Sequence, residues 1–441
     1  MSSLSNLTIH SIGGGWGKDV EDEGLELVAV IRGTDIPNLE INNIQGVPFR
    51  YETQKKIQSR LLQIGDLVIE IFGGSASSKQ RTGRCLYITD ELLKNLGGKV
   101  IPASFCKLLR LDRKKVNSKY VYYQIKAMHL SDEIASFENQ STGISNFQFN
   151  RFIDEIRPSI LDIEVQNKIV NFLEKIDLKI INNININQTL EQIAQTIFKS
   201  WFIDFDPVHA KANALASGQT LEQATQAAMA VISGKNTQEL HRLQTANPEQ
   251  YQQLWEIADA FPSGVDEEGV PWGWEERYLK DVCNIVYGKG LPKNKLTEKG
   301  FYVFGANGVI GFYDSYTYEK PQVLIGCRGT VGQVTLSYPY SFVTNNSLVI
   351  EYENSCVSMY YLEKYLSNIN LKEISSGSVQ PQITIQNMSK VKILIPNIEI
   401  LNFYSEKVKE IYDKRLHHFY ENQSLSKVRD LLLPKLLSGE V

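Results

Sequence analysis

The side chains in this sequence that could do chemistry are few, and their spacing decides what they can do. Asp204, Asp206 and His209 could be drawn as a metal set. The pattern reads better as a helix end, with Pro207 stopping the helix and the carboxylates solvated. Gly13-Gly14-Gly15-Trp16-Gly17-Lys18 has the glycines and lysine of a phosphate cradle, but neither its spacing nor its hydroxyl residue. No Asn-Pro-Pro-Tyr or Asp-Pro-Pro-Tyr block of the amino-methyltransferase kind occurs, and no acidic–lysine cluster of nuclease type. Catalytic residues, a metal site and a bound cofactor are therefore not expected. What remains is hydrogen-bonding chemistry in loops. Lys79, Gln80, Arg81 and Arg84 lie in one Ser/Thr/Gly-containing stretch, and Lys289, Lys293 and Lys295 in a Gly/Pro-rich one. Arg328 stands beside Gly329 and Thr330, and Ser378, Gln380 and Gln382 follow Gly377. A further basic run holds Arg110, Arg113, Lys114, Lys115 and Lys119.

The elements that must position these loops come in two copies. Residues 163–202 match residues 398–437 at a constant offset of 235. Ile163-Glu164-Val165 falls on Ile398-Glu399-Ile400, and Asn187-Gln188-Thr189-Leu190 on Asn422-Gln423-Ser424-Leu425. Slightly upstream, Ser141-Thr142-Gly143 falls on Ser375-Ser376-Gly377, and Gln148 on Gln382. In the first copy Ile169, Ile176, Asn183, Leu190 and Ile197 recur every seven residues, with Leu173, Ile180, Asn187, Ala194 and Trp201 four later. That is the a/d seam of a coiled coil, with two asparagines inside it that penalise wrong registers. The second copy carries Arg415, His418 and Arg429 at matching positions, and an apolar face that could pair with the first helix. Forty helical residues span about 60 Å.

The segments ahead of each helix read as mixed α/β, with short β-type runs at Leu27–Ile31, Leu67–Phe72, Val323–Ile325 and Ser347–Ile350. Gly65–Ile69 and Pro321–Ile325 occupy comparable places, each followed by glycine. The expected plan is a first globular domain at 1–152, a helix at 153–205, an acidic connector at 206–271, a second globular domain at 272–392 and a distal helix at 393–441. The connector's start suits short amphipathic helices and its end an acidic loop.

The net charge is −4, but it is unevenly placed. Ile203–Glu275 holds 11 acidic and 3 basic residues, so the rest of the chain sums to +4 (−4 minus −8). Local basic faces are thus permitted. Five cysteines, at 85, 106, 283, 327 and 356, form no Cys-x-x-Cys pair, which fits a reducing cytoplasm. No apolar run approaches a membrane span and no secretory leader is evident at the first residues.

Trp201-Phe202-Ile203-Asp204-Phe205-Asp206-Pro207-Val208-His209-Ala210-Lys211, then Pro271-Trp272-Gly273-Trp274-Glu275, then Leu431-Leu432-Leu433-Pro434-Lys435-Leu436-Leu437-Ser438-Gly439 occur in this order around the repeat. Together they resemble the specificity subunits of type I restriction–modification systems, and the resemblance covers essentially the whole chain. It implies an α+β fold: two globular α/β target-recognition domains, separated by an antiparallel coiled coil of two long helices. Each domain would read one half of a split double-stranded DNA target, and two methyltransferase (modification) subunits would dock on the helices. Restriction subunits could join them. S-adenosylmethionine, ATP and magnesium would belong to those partners. DNA half-sites one turn apart lie roughly 34–36 Å from centre to centre, so the helices could act as a ruler. On this reading the loop residues named above meet DNA: Arg and Lys on phosphates and guanine, Asn and Gln on adenine. The two domains differ in sequence, so the target should be asymmetric. Two other readings compete. A coiled-coil scaffold explains the helices but not two dissimilar domains, and a stand-alone restriction–modification enzyme lacks a stretch for its catalytic domain. The Ala/Gln-rich stretch from Ala212 to Ala260 is longer than a plain connector requires.

Overall fold

Leu25–Ile31 is apolar at nearly every position from Leu27 on, and it forms a strand whose last four residues are buried. The computed structural model describes residues 2–73, 81–141, 144–158, 161–377 and 380–440. The chain divides into two units: Met1–Asn187 with Leu416–Val441, and Gln188–Arg415.

In the first unit the strands are β1 (Thr8–Gly13), β2 (Leu25–Ile31), β3 (Phe49–Thr53), β4 (Leu67–Glu70), β5 (Cys85–Tyr87), β6 (Val100–Pro102) and β7 (Cys106–Leu111). Among the described residues they form an antiparallel sheet in the order β1-β7-β4-β5 and a smaller sheet β3-β2-β6, in which β2 and β6 are parallel. A hairpin follows, of β8 (Glu138–Ser141) and β9 (Ile144–Phe147). The helix Ser118–Leu130 starts where the Asn117 side chain accepts the amides of Lys119 and Tyr120. Its Tyr120 and Tyr123 join Leu67, Ile69, Leu109 and Phe152 in the core.

The second unit contains β10 (Glu275–Tyr278), β11 (Asn284–Tyr287), β12 (Phe301–Gly305), β13 (Gly308–Tyr313), β14 (Val323–Gly326), β15 (Val334–Leu336), β16 (Phe342–Val343), β17 (Ser347–Glu351) and β18 (Lys392–Ile395). Its sheets run β11-β17-β14-β15 and β13-β12-β16, with β12 and β16 parallel, and β10 pairs with β18. The strand orders of the two units are therefore the same: β1 to β7 correspond in turn to β11 to β17. The sequence match hinted at this duplication only through Gly65–Ile69 and Pro321–Ile325, which indeed lead into β4 and β14.

The long helices run Ile163–Phe202 and Ile398–Ser438, the latter continuing through Pro434. Within the first unit Ile169, Leu173, Ile180 and Asn183 are buried, and Leu173 shares a core with Leu433 and Leu437. Arg429 Nη1 reaches Asp177 at 2.7 Å. Asn183 Nδ2 donates to Glu421 Oε2 (2.7 Å) and Asn422 Oδ1 (2.8 Å), and Asn187 meets His418 at 2.8 Å. Each step up one helix is matched by a step down the other, so the pairing is antiparallel. Within the second unit Glu191 meets Arg415 at 2.5 Å, and Trp201 packs on Tyr404. The polar residues that roughened the second seam are thus partners of polar residues on the first.

Two expectations are corrected. Pro207 does not stop the long helix, which ends at Phe202; Phe205 takes a left-handed turn (φ 51°) and Pro207 lies in the first turn of a new helix, Asp206–Ala216. There its missing N–H costs nothing. The connector is helical from its start to Ala260, and its acidic end carries no helix. Helices Asp206–Ala216, Leu221–Ser233, Thr237–Ala246 and Pro248–Ala260 make up the helical part, started by Thr220, Asn236 and Asn247 as side-chain caps. Buried Lys211 donates to the carbonyls of Ala258, Asp259 and Phe261 (3.3, 3.1 and 2.7 Å), closing the last helix end. The boundary drawn at 392/393 cuts β18, which belongs with the second sheet system.

Candidate nucleic-acid interface

The loops that could reach a ligand gather at the same end of the main sheet in each unit, where β4 and β14 finish and β7 and β17 begin. Matching hydrogen bonds fix the correspondence. The amide of Gly14 donates to Cys106 O (2.9 Å) as that of Gly288 does to Ser347 O (3.1 Å). Ile71 N donates to Phe105 O (2.8 Å), and Cys327 N to Asn346 O (2.9 Å). Phe147 N donates to Ile71 O (2.9 Å), and Ile383 N to Cys327 O (3.1 Å). Position by position, Phe72 therefore stands where Arg328 stands, Phe105 where Asn346 stands, and Asn146 where Gln382 stands. The last pairing lies two residues off the sequence match, which had set Gln148 on Gln382.

In the second unit this end is rich in exposed donors. Lys289 follows Gly288, with its amide on Val343 O (2.8 Å), and accepts the amide of Asn345 (3.1 Å). Arg328 is exposed just beyond Cys327. Gln380 and Gln382 belong to a turn closed by reciprocal 2.9 Å amide bonds between Ser376 and Gln382, and Ile383 docks that turn on the Arg328 loop. The structure thus brings Lys289, Arg328, Gln380 and Gln382 together. Lys293 and Lys295 stand apart on the short turn Lys293–Lys295, alongside β13 through the Thr297–Phe312 bridge. Lys289, Lys293, Lys295 and Arg328 are all exposed, and among the described residues none offers them an ion pair. Ser378 lies outside the described residues.

The first unit is different. Lys79 and Gln80 fall outside the described residues. Arg81 is clamped by Asp132 (2.7 and 2.8 Å) and Glu138 (3.1 Å). The Arg81 guanidinium holds the exposed Asp132 carboxyl below its usual range. Glu138 also accepts the Thr82 amide (2.5 Å) and hydroxyl (2.8 Å). Arg84 makes a two-pronged pair with Glu70 (2.8 and 2.7 Å), whose side chain is 2% exposed. His129 reaches Thr82 O at 3.0 Å, and burial lowers its pKa. Arg81 and Arg84 are thus both engaged by carboxylates of the first unit. The basic run also departs from expectation: Arg110 pairs with Asp66 (2.7 Å), Lys115 with Asp112 and Lys119 with Glu174, and the run follows β7 at the end opposite the clustered loops.

What the first unit does expose at this end is aromatic. Phe105 is 62% and Phe72 37% exposed, their ring centroids 5.5 Å apart. Lys107 lies beside them over the Phe149 ring (4.3 Å). Neither phenylalanine, nor Asn345 and Asn346, was singled out from sequence. Their signal is positional: Phe105, Asn345 and Asn346 precede a strand of the β7/β17 type and Phe72 follows β4, which shows only once the strands are matched in order.

Of the other blocks noted in the sequence, those around Trp201–Lys211 and Pro271–Glu275 meet in one core, while Leu433 and Leu437 of the last block pack in the first unit's core. Phe202 packs on Tyr361 (5.0 Å), Tyr404 (5.1 Å) and Trp274 (5.9 Å), and Phe205 stands edge-on to Trp274 (5.5 Å). Asp204 bonds Lys199, while Asp206 opens a helix.

A family model described as "Type I restriction modification DNA specificity domain" matches residues 271–428. The chain is 38% identical over 320 residues to the type I restriction enzyme HindI specificity subunit of Haemophilus influenzae, which spans 66% of this chain and 70% of that protein. It is 23% identical over 357 residues to the MjaIX specificity subunit of Methanocaldococcus jannaschii, spanning 74% and 69%. A crystal structure of a type I restriction–modification S subunit from M. genitalium aligns with 99% of this chain and 95% of its own, at 16% identity and a TM-score of 0.49.

Proposed function

We propose, from the premise that this chain belongs to the family of type I restriction enzyme specificity subunits, that it is the non-catalytic DNA-reading subunit of a type I restriction–modification complex. Each unit reads one half of a bipartite target through the loop end of its main sheet. In the second unit Lys289, Lys293, Lys295, Arg328, Gln380 and Gln382 face the duplex, with cations on phosphates and Arg and Gln on base edges. In the first unit the contacts include Lys79 and Gln80, which precede the ion-paired Arg81 and Arg84 in sequence. Two methyltransferase subunits dock on the paired helices, and a restriction subunit can join them.

One observation carries this reading: the same strand order is built twice, with unlike side chains at equivalent loop positions. A duplicated scaffold with divergent tips is what two related readers of different sequences require. The test is to map methylated adenines in the host genome with and without the gene. A split, asymmetric motif that vanishes on deletion is expected. A palindromic motif, or an unchanged map, would defeat the proposal. Copurification of a methyltransferase with the tagged chain tests the docking; its absence would favour a scaffold.

A further inference from the structure

We infer that Phe72 and Phe105 read thymine methyl groups in the first half-site, at the same strand-end positions where Arg328 and Asn346 read purine edges in the second. The inference rests on the DNA-reading function proposed above and names the residues that set each half-site.

The argument starts from equivalence. The bonds Ile71 N–Phe105 O and Cys327 N–Asn346 O place the two pairs at the same point of the same scaffold, and the bonds from Phe147 and Ile383 dock a hairpin beside each. Asn146 on that hairpin bridges to Phe72, and Gln382 is its counterpart. Two large rings left in water lose the roughly 25 cal/mol per Å² that burial returns, so they are poor choices for a loop tip with no partner. A protein partner would not be expected to accept two rings in one copy and an exposed arginine with an asparagine in the other. Base edges do accept both: arginine matches guanine O6 and N7, asparagine matches adenine N6 and N7, and phenylalanine packs on the C5-methyl of thymine. The same two positions thus change the base read by changing side-chain chemistry on one strand scaffold.

The test uses the complex with its methyltransferase and duplexes carrying the target taken from the methylation map. Deoxyuridine replaces thymine in one half-site at a time, which removes only the methyl group. In the first half-site affinity should fall about fourfold per contacted methyl, and in the second it should not change. Replacing guanine by 7-deazaguanine should cost about tenfold in the second half-site alone. The double variant Phe72→Ala with Phe105→Ala should erase the deoxyuridine effect, and Arg328→Ala the 7-deazaguanine effect, each leaving the other intact. A first half-site without A·T pairs, a deoxyuridine effect that survives in the double variant, or loss of methyltransferase binding in that variant would overturn the inference. Equal binding of target and scrambled duplexes would instead sink the DNA-reading function itself, and this inference with it.

Discussion

Gly14 and Gly288 occupy the same turn of the same scaffold, once in each unit, and for the same reason. A Cβ on Gly14 would lie 2.0 Å from Ala103 O, and one on Gly288 2.2 Å from Thr344 O. No side chain fits so close to a backbone carbonyl without moving it. Gly14→Ala and Gly288→Ala should each destabilise by about 1–3 kcal/mol, the range for overpacking. Thermal melts of the purified subunit check this; Gly290→Ala, where a Cβ meets nothing within 4 Å, is the control and should leave the melt unchanged.

The Arg84–Glu70 pair makes a contrasting claim. Glu70 is buried and its charge is met by Arg84. Arg84→Met should therefore cost about 3–5 kcal/mol, because it strands a buried carboxylate. The double variant Glu70→Gln with Arg84→Met should recover part of that loss. A direct phosphate contact predicts the reverse: unchanged urea unfolding and weakened DNA binding.

Salt dependence separates the ion-paired cations from the contacts. Each cation that neutralises a phosphate contributes about 0.9 to the slope of log affinity against log salt. Lys289→Gln, Lys293→Gln and Lys295→Gln should each lower that slope by about 0.9 if they meet phosphates. Arg110→Gln, which breaks the Asp66 pair at the far end of β7, should leave the slope alone. Equal slopes for Lys289→Gln and the unaltered complex would remove Lys289 from the interface.

The helices were legible from sequence because a heptad needs only local spacing, and Asn183 and Asn187 fell inside the seam as the spacing required. The strand duplication was not, because pairing of β4 with β7 joins residues far apart in sequence and leaves no period to read. Arg81 and Arg84 look like readers in sequence because their partners, Asp132, Glu138 and Glu70, arrive from elsewhere in the chain. Compensation hid another correspondence. Gly33 makes room for the Glu70 side chain in the first unit, whereas in the second Gly326 makes room for the backbone at Ala306. The small residue has changed sides of one contact, so no residue-by-residue match survives there.

The last prediction concerns acid. Glu191 on the long helix is paired with Lys364, which is 2% exposed, and with Arg415 at 2.5 Å, while Tyr412 donates to the neighbouring Glu363 at 2.6 Å. Burial alone would raise the Glu191 pKa, but Lys364 and Arg415 outweigh it and hold the carboxyl below its ordinary value. The sign follows directly. A carboxylate whose native pKa is lowered stabilises the fold fully above its unfolded value, about 4.3, and the contribution is lost as pH falls through the native value. Glu191→Gln should therefore melt lower than the unaltered chain at pH 7, because among the described residues Lys364 then keeps Glu363, at 3.0 Å, as its one carboxylate partner. The gap should narrow as pH drops below about 4, where the native chain is losing the same charge. Melting curves taken from neutral pH down to the acid limb decide it. Parallel curves across the whole range would mean that Glu191 is not the titrating group there.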